Sequence, residues 1–168
     1  DALHVDLTRG PAMLDTLPAA LPAAMQLSLG LVDGRNVWRV DADAALAKIE
    51  QVRAKLGDDR LLLGSSCSLL HVPVDLETEQ ELDPDVRRWM AFARQKCEEL
   101  RMLSDAASGE GAAQALRANR EARADRRRSR RVVSAAVRER VAGVTAGMLQ
   151  RAAPHAERKA LQQERLQL

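Results

Sequence analysis

Cys67 and His71 are four residues apart in the segment LLLGSSCSLLHVPVDL, residues 61–76. They are the chain's only close thiol–imidazole pair. A thiol beside an imidazole is the material of a nucleophile and its general base, and both side chains also ligate zinc. Neither chemistry is complete on these two residues. Zinc takes three or four protein ligands, and the remaining candidates are His4, Cys97 and His155. Cys97 falls on the apolar face of a predicted helix, where a thiol serves as a small core residue, and His155 falls in a helical tail. A nucleophilic pair needs the imidazole within hydrogen-bond reach of the thiol and an orienting group, for which Asp75 is placed. Two readings therefore stand side by side: a thiol enzyme using Cys67 and His71, or a strand-end loop holding a buried cysteine. The first requires Cys67 to alkylate faster than Cys97.

Other residues with chemical potential are sparser. Asp33-Gly34-Arg35-Asn36 is a strong turn sequence that offers Arg35 to an anionic substrate or simply to solvent. Gly10, Gly30, Gly34 and Gly64 form no GxGxxG or Walker-type phosphate loop. The run Arg117–Arg131 is rich in arginine, but Glu121 and Asp125 interrupt it, so i,i+4 ion pairs along one helix are a sufficient use for those charges. With no base-reading motif and only Trp38, Trp89 and Phe92 as aromatics, specific nucleic-acid binding is not expected.

The elements that must position these residues follow from periodicity and breakers. Leu3–Leu7 reads as a strand ending near Arg9-Gly10. Pro11 opens a short helix through Met13, Leu14 and Leu17, which Pro18 and Pro22 hold to about two turns. Met25–Val32 is a second, buried strand. Asp41 or Asp43 caps a helix with Leu46, Ile49, Val52 and Leu56 on one face, stopped by Gly57. Leu61–Leu63 is a third strand, followed by a long loop over 64–82. Asp83-Pro84 starts one helix with Val86, Met90, Ala93, Cys97 and Leu100 at helical spacing. The order β-α-β-α-β-α calls for parallel strands with right-handed crossovers, as in part of a barrel or a doubly wound sheet. Beyond Ser108-Gly109, residues 112–128, 134–152 and 155–166 read as helices with sparse apolar positions.

Composition supports this division. Residues 1–110 hold 12 Lys/Arg against 19 Asp/Glu, and residues 111–168 hold 14 against 5, a basic tail on an acidic body. With 46% apolar residues the chain can build a sizeable core. Two unpaired-looking cysteines fit a reducing cytoplasm, and no apolar run is long enough for a membrane span. A start at Asp1 rather than Met suggests a piece of something longer.

Three long segments, LSLGLVDGRNVWRVD (27–41), SCSLLHVPVDLETE (66–79) and LDPDVRRWMAFARQKCEEL (82–100), resemble the N-terminal half of cobalamin-independent methionine synthase, in order and at natural spacing. DLTRG (6–10) resembles the family's strand just upstream, and RKALQQERLQL (158–168) resembles the linker before its catalytic half. The resemblance is weakest over 104–150. It implies an α/β chain made of the last three βα units of a (β/α)8 TIM-type barrel, residues 1–108, followed by a helical inter-barrel linker, residues 109–168. It implies a parent that moves a methyl group from 5-methyltetrahydropteroyl-polyglutamate to homocysteine, with zinc held by a second barrel that is the natural partner of this piece. No zinc ligand or catalytic residue of the family maps onto this sequence. Cys67 would correspond in place to a zinc cysteine of the sister barrel, retained as a relic or for packing. The substrate-facing strand-end candidates are Arg9, Asp33, Arg35, Asn36, Ser66, Cys67, Ser68 and His71. The piece alone is expected to be inactive scaffold with two open sheet edges. A stand-alone interaction module with a basic helical tail is the competing class.

Overall fold

The computed structural model describes residues 1–151 and 153–166; the predicted helix end at 152 and the tail positions 167–168 lie outside the described residues. By internal contacts the chain forms two units, residues 1–127 and the part from Arg128 onward.

The first unit is built on three parallel strands in the order β1-β2-β3: β1 Ala2–Asp6, β2 Gln26–Val32 and β3 Leu61–Ser65. Each is joined to the next through a helix, α1 Met13–Ala20 and α2 Ala42–Leu56, because a parallel connection must return along the full strand. Val5, Leu27, Leu29 and Leu63 line up across the register on one face, with Leu27 and Leu29 fully buried in the core. Each such leucine contributes about 1.5–3 kcal/mol of transfer free energy. Helix α2 presents Ala45, Ile49 and Val52 to this core at spacings of four and three. Its start is fixed by Asp41, whose carboxylate accepts the Ala44 N–H at 3.2 Å, and its end by Gly57 at φ 75°, where a side chain would be strained.

The opposite face of the sheet is made mostly of small and polar residues, with Leu62 the exception: Ala2, His4 and Asp6 on β1, Gln26, Ser28 and Gly30 on β2, Leu62 and Gly64 on β3. His4 and Leu62 are exposed there. Parallel sheets ordinarily have both faces and both edges covered. Here β1 and β3 each have one edge without a neighbouring strand among the described residues, as the sequence implied.

The helix predicted from Pro84 through Leu100 is two helices, α3 Pro84–Trp89 and α4 Ala93–Ser108. Met90 is extended, and an antiparallel bridge joins it to Trp38, with Arg39 N–H on Trp89 C=O at 3.1 Å and Ala91 N–H on Val37 C=O at 2.8 Å. This bridge resets the helical phase. The inward face of α4 carries Lys96, Glu99, Met102 and Leu103, and Cys97 is exposed rather than a core thiol. Helix α5, Ala113–Arg128, closes the first unit with Asn119 and Ala122 buried.

From Arg128 onward lie α6 Ala135–Ala142, α7 Ala146–Leu149 and α8 His155–Leu166. The continuous helix predicted over 134–152 is interrupted after Ala142. None of these three helices has a buried residue, and Val137, Val141, Met148, Leu149, Leu161 and Leu166 are exposed. No described helix is long and apolar enough to cross a membrane.

Candidate functional site

The carboxyl ends of the three strands converge, as the strand ends of a parallel sheet must. At the end of β1, Asp6 Oδ1 accepts the Thr8 N–H at 3.0 Å, the Thr8 hydroxyl at 2.7 Å and the Arg9 N–H at 3.2 Å, an Asx-type turn that ends the strand. Its other oxygen accepts the Arg35 guanidinium at 2.9 Å. Burial works to raise the Asp6 carboxyl, but the Thr8 and Arg35 hydrogen bonds and the two backbone donors outweigh it and bring the pKa to about 2.

After β2, Asp33 repeats the device. Oδ1 takes the Arg35 N–H at 2.9 Å and Oδ2 takes the Asn36 amide at 2.6 Å, while Asn36 Oδ1 accepts the Trp38 N–H at 2.9 Å. After β3, the buried Ser66 hydroxyl accepts the Gly34 N–H at 3.1 Å and lies 3.5 Å from Arg35 Nη1. Gly34 is required by close approach: a Cβ there would sit 2.9 Å from the Cys67 carbonyl oxygen and 3.0 Å from its sulfur. Gly30 is tighter still, with a Cβ 2.7 Å from the Val5 carbonyl oxygen.

The sequence candidates thus divide. Asp33, Arg35, Asn36, Ser66 and Cys67 are brought together, with Asp6 as the hub that sequence reasoning did not single out. Arg9 contributes its backbone N–H to that hub and is otherwise exposed. Ser68 is exposed and its hydroxyl accepts the Leu70 N–H at 3.3 Å. His71 is exposed on a 3-10 turn, Leu69–His71. Among the described residues the thiol of Cys67 reaches the Ser68 carbonyl, at 3.6 Å, and not the His71 imidazole, so the nucleophile-and-base pair is not assembled there. Asp75 turns elsewhere, accepting Gln95 at 2.7 Å, the Glu77 N–H at 3.0 Å and Arg94 at 2.9 Å; these bonds hold its carboxyl at about 2. Among the described residues no group of three His, Cys, Asp or Glu side chains converges as a metal site, so Cys67 lacks the companions zinc needs and the residues present do not fit that ion.

A cavity of about 320 Å³ adjoins this rim, between the ends of β1 and β2 and the start of α2. It shares Asp33 and Asn36 with the sequence candidates, but adds Trp38, Lys48 and Arg126 and excludes Ser66, Cys67 and His71. Lys48 Nζ donates to the Leu7 carbonyl at 2.9 Å, and the Arg126 guanidinium lies over the Trp38 ring, 3.8 Å from its centroid. Three arginines of α5 are spent on tertiary pairs rather than along their own helix: Arg120 on Asp43 at 2.7 Å, and Arg123 and Arg127 on Asp41. Asp125 accepts Arg88 at 2.5 Å and the Trp89 indole N–H at 2.8 Å. No local spacing signals partners so distant in sequence.

Residues 1–57 match the family model described as cobalamin-independent synthase, N-terminal domain. That match takes in about the first third of the chain. The similarity to relatives runs further, over the whole chain. A protein of Salinibacter ruber named 5-methyltetrahydropteroyltriglutamate–homocysteine methyltransferase is 50% identical over 171 residues, covering 100% of this chain and 22% of the relative. Proteins of the same name from Nitratidesulfovibrio vulgaris and Caulobacter vibrioides are 47% and 46% identical, again over 100% of the chain and 22% of the relative. The chain therefore spans about a fifth of the length of the curated relatives it matches.

Proposed function

We propose that this chain is the last three βα units of the N-terminal (β/α)8 barrel of a cytoplasmic cobalamin-independent methionine synthase, with residues 109–168 as its helical linker to a catalytic barrel. The observation that carries the reading is end-to-end identity of up to 50% with proteins named for that reaction. An open parallel sheet with a largely small and polar face that leaves His4 and Leu62 exposed agrees with it, since such a face is what neighbouring barrel strands would enclose.

The parent transfers a methyl group from 5-methyltetrahydropteroyl-polyglutamate to homocysteine. Zinc, held outside this chain, supplies the acidity that makes the homocysteine thiol a nucleophile at neutral pH. This chain contributes scaffold. Its strand-end residues Arg9, Asp33, Arg35, Asn36, Ser66, Cys67, Ser68 and His71 form a rim on the side of the barrel where substrates enter. The Asp6–Arg35–Ser66 bonds tie the three strand ends into a fixed arc.

The test is direct assay of the purified 168-residue chain with methyl-folate triglutamate, homocysteine and zinc. No methionine above background is expected. Turnover that persists after Cys67→Ser would overturn the scaffold reading, and turnover lost with Cys67→Ser would restore the thiol-enzyme alternative.

A further inference from the structure

Four arginines converge on one small pocket that the rim does not use. Arg39 from the segment after β2 and Arg123, Arg126 and Arg127 from α5 surround a space of about 60 Å³ walled by Trp89. Of the acids near these arginines, Glu99 faces the neighbouring cavity that Arg39 also lines, and Asp41 and Asp125 are engaged elsewhere. Asp41 Oδ2 is shared between Arg123 and Arg127 while its Oδ1 caps α2, and Asp125 serves Arg88 and Trp89. Arg39 donates Nε to the Arg88 carbonyl at 2.7 Å, and among the described residues neither Arg39 nor Arg126 is paired with a carboxylate. Arg126 Nε is buried with no hydrogen-bond partner. Stacking on Trp38 holds the plane of that guanidinium and leaves its Nε–H without an acceptor.

Converging guanidinium groups repel one another, and a buried N–H with no acceptor costs free energy. Both penalties vanish if an oxyanion sits between them, because a planar fork of N–H donors matches the two oxygens of a carboxylate or phosphate. A Lys-lined patch would offer only charge; arginines at fixed planes offer geometry.

We propose that this pocket, between α3 and α5, binds a single oxyanion group, a phosphate or a carboxylate, with Arg39 and Arg126 as the direct donors and Arg123 and Arg127 supplying field. Occupation would fasten α5 to the Trp38–Asp41 segment and α3. The site shares Arg39 and Arg126 with the cavity that adjoins the strand-end rim, and its oxyanion binding does not depend on the proposed methyltransferase role.

The experiment titrates the 168-residue chain with inorganic phosphate, and separately with glutarate, at ionic strength held constant with sodium chloride. Melting temperature and calorimetric heat are the readouts. Saturable stabilisation is expected, weakened about tenfold by Arg39→Gln and by Arg126→Gln, the loss of about one charge-assisted hydrogen bond. Arg101→Gln, on the exposed side of α4, should leave it unchanged. Saturation by phosphate alone marks the ligand as a phosphate, and saturation by glutarate marks a carboxylate. If far-UV circular dichroism shows that a glutamine variant has not folded, Arg126→Lys replaces it, retaining charge and stem without the fork; binding must still fall. Saturation by neither probe, or equal saturation in the wild type and all the variants, would overturn the proposal.

Discussion

At the strand ends, Asp6 accepts four hydrogen bonds and Ser66 answers the Gly34 N–H; where α4 approaches α5, Glu99 gives one oxygen to the Val40 N–H at 3.0 Å and leaves the other buried with no partner. Asn119 is in the same position. Its amide donates to the Val40 carbonyl at 3.2 Å while its Oδ1 is buried and unpaired, and both side chains line a cavity of about 160 Å³. The rim has the residue types of an active site and the bonding of a joint. The α4–α5 seam has the sequence of an ordinary amphipathic helix pair and the bonding of a poised site. Residue type alone does not separate groups that are free to act from groups already spent; the unsatisfied valences do.

Substitutions can break this contrast. The largest effect is expected at the rim's closest approach. Gly30→Ala puts a methyl group against the Val5 carbonyl and should cost about 3 kcal/mol, and Gly34→Ala rather less because the Cys67 loop can shift, as read from urea midpoints. At the seam, Asn119→Ala leaves the Val40 carbonyl unanswered and should cost about 2 kcal/mol by the same measurement. A smaller cost would mean that solvent reaches the cavity and that the seam is not dry.

The two regions should also separate by pH. Folding lowers the Asp6 and Asp75 carboxyls to about 2, so the stability they confer is complete above their ordinary range and is lost as pH falls below about 4 toward 2. Glu99 has the opposite sign. Burial, which the Val40 N–H and the Lys96, Arg39 and Arg123 charges only partly offset, raises it to about 7. Its contribution is complete while it is protonated, below about 4.5, and is lost as pH climbs toward 7. Lys96, fully buried with its ammonium on the Trp38 carbonyl at 3.2 Å, is pushed down by burial against the pull of Glu99. Glu99→Gln should flatten the neutral limb of the stability profile and leave the acid limb in place. A profile unchanged by that substitution would show that the seam does not titrate.

The smallest expected effect is on thiol reactivity. Cys97 is exposed and Cys67 half-buried, so a maleimide should label Cys97 first. Faster labelling of Cys67 would revive the thiol-enzyme reading.

The strands, the Asp41 cap and the Gly57 stop were legible because each depends on local signals: apolar runs, an Asx side chain before a periodic stretch, a glycine after it. The chemistry at residues 33–36 and 66 was legible as turn and loop residues. What the sequence concealed is non-local. Met90 continues a helical pattern, and only its pairing with Trp38 breaks it. That break moves Cys97 outward and Lys96 and Glu99 inward, reversing what the apolar spacing implied. The arginines of α5 likewise look self-sufficient beside Glu121 and Asp125 until the fold delivers Asp41 and Asp43 to them.

The two bare edges of the sheet set how this architecture can be cut or extended. A hairpin cannot add a parallel strand; the chain must first cross back, as it does through α1 between Ala2 and Gln26 and through α2 between Gln26 and Leu61. Growth and truncation are therefore quantised in whole strand-plus-helix modules. A split-protein design that places its breakpoint in a loop just before a strand hands each half intact modules, whereas one placed inside a crossover strands a helix without the sheet that buries it.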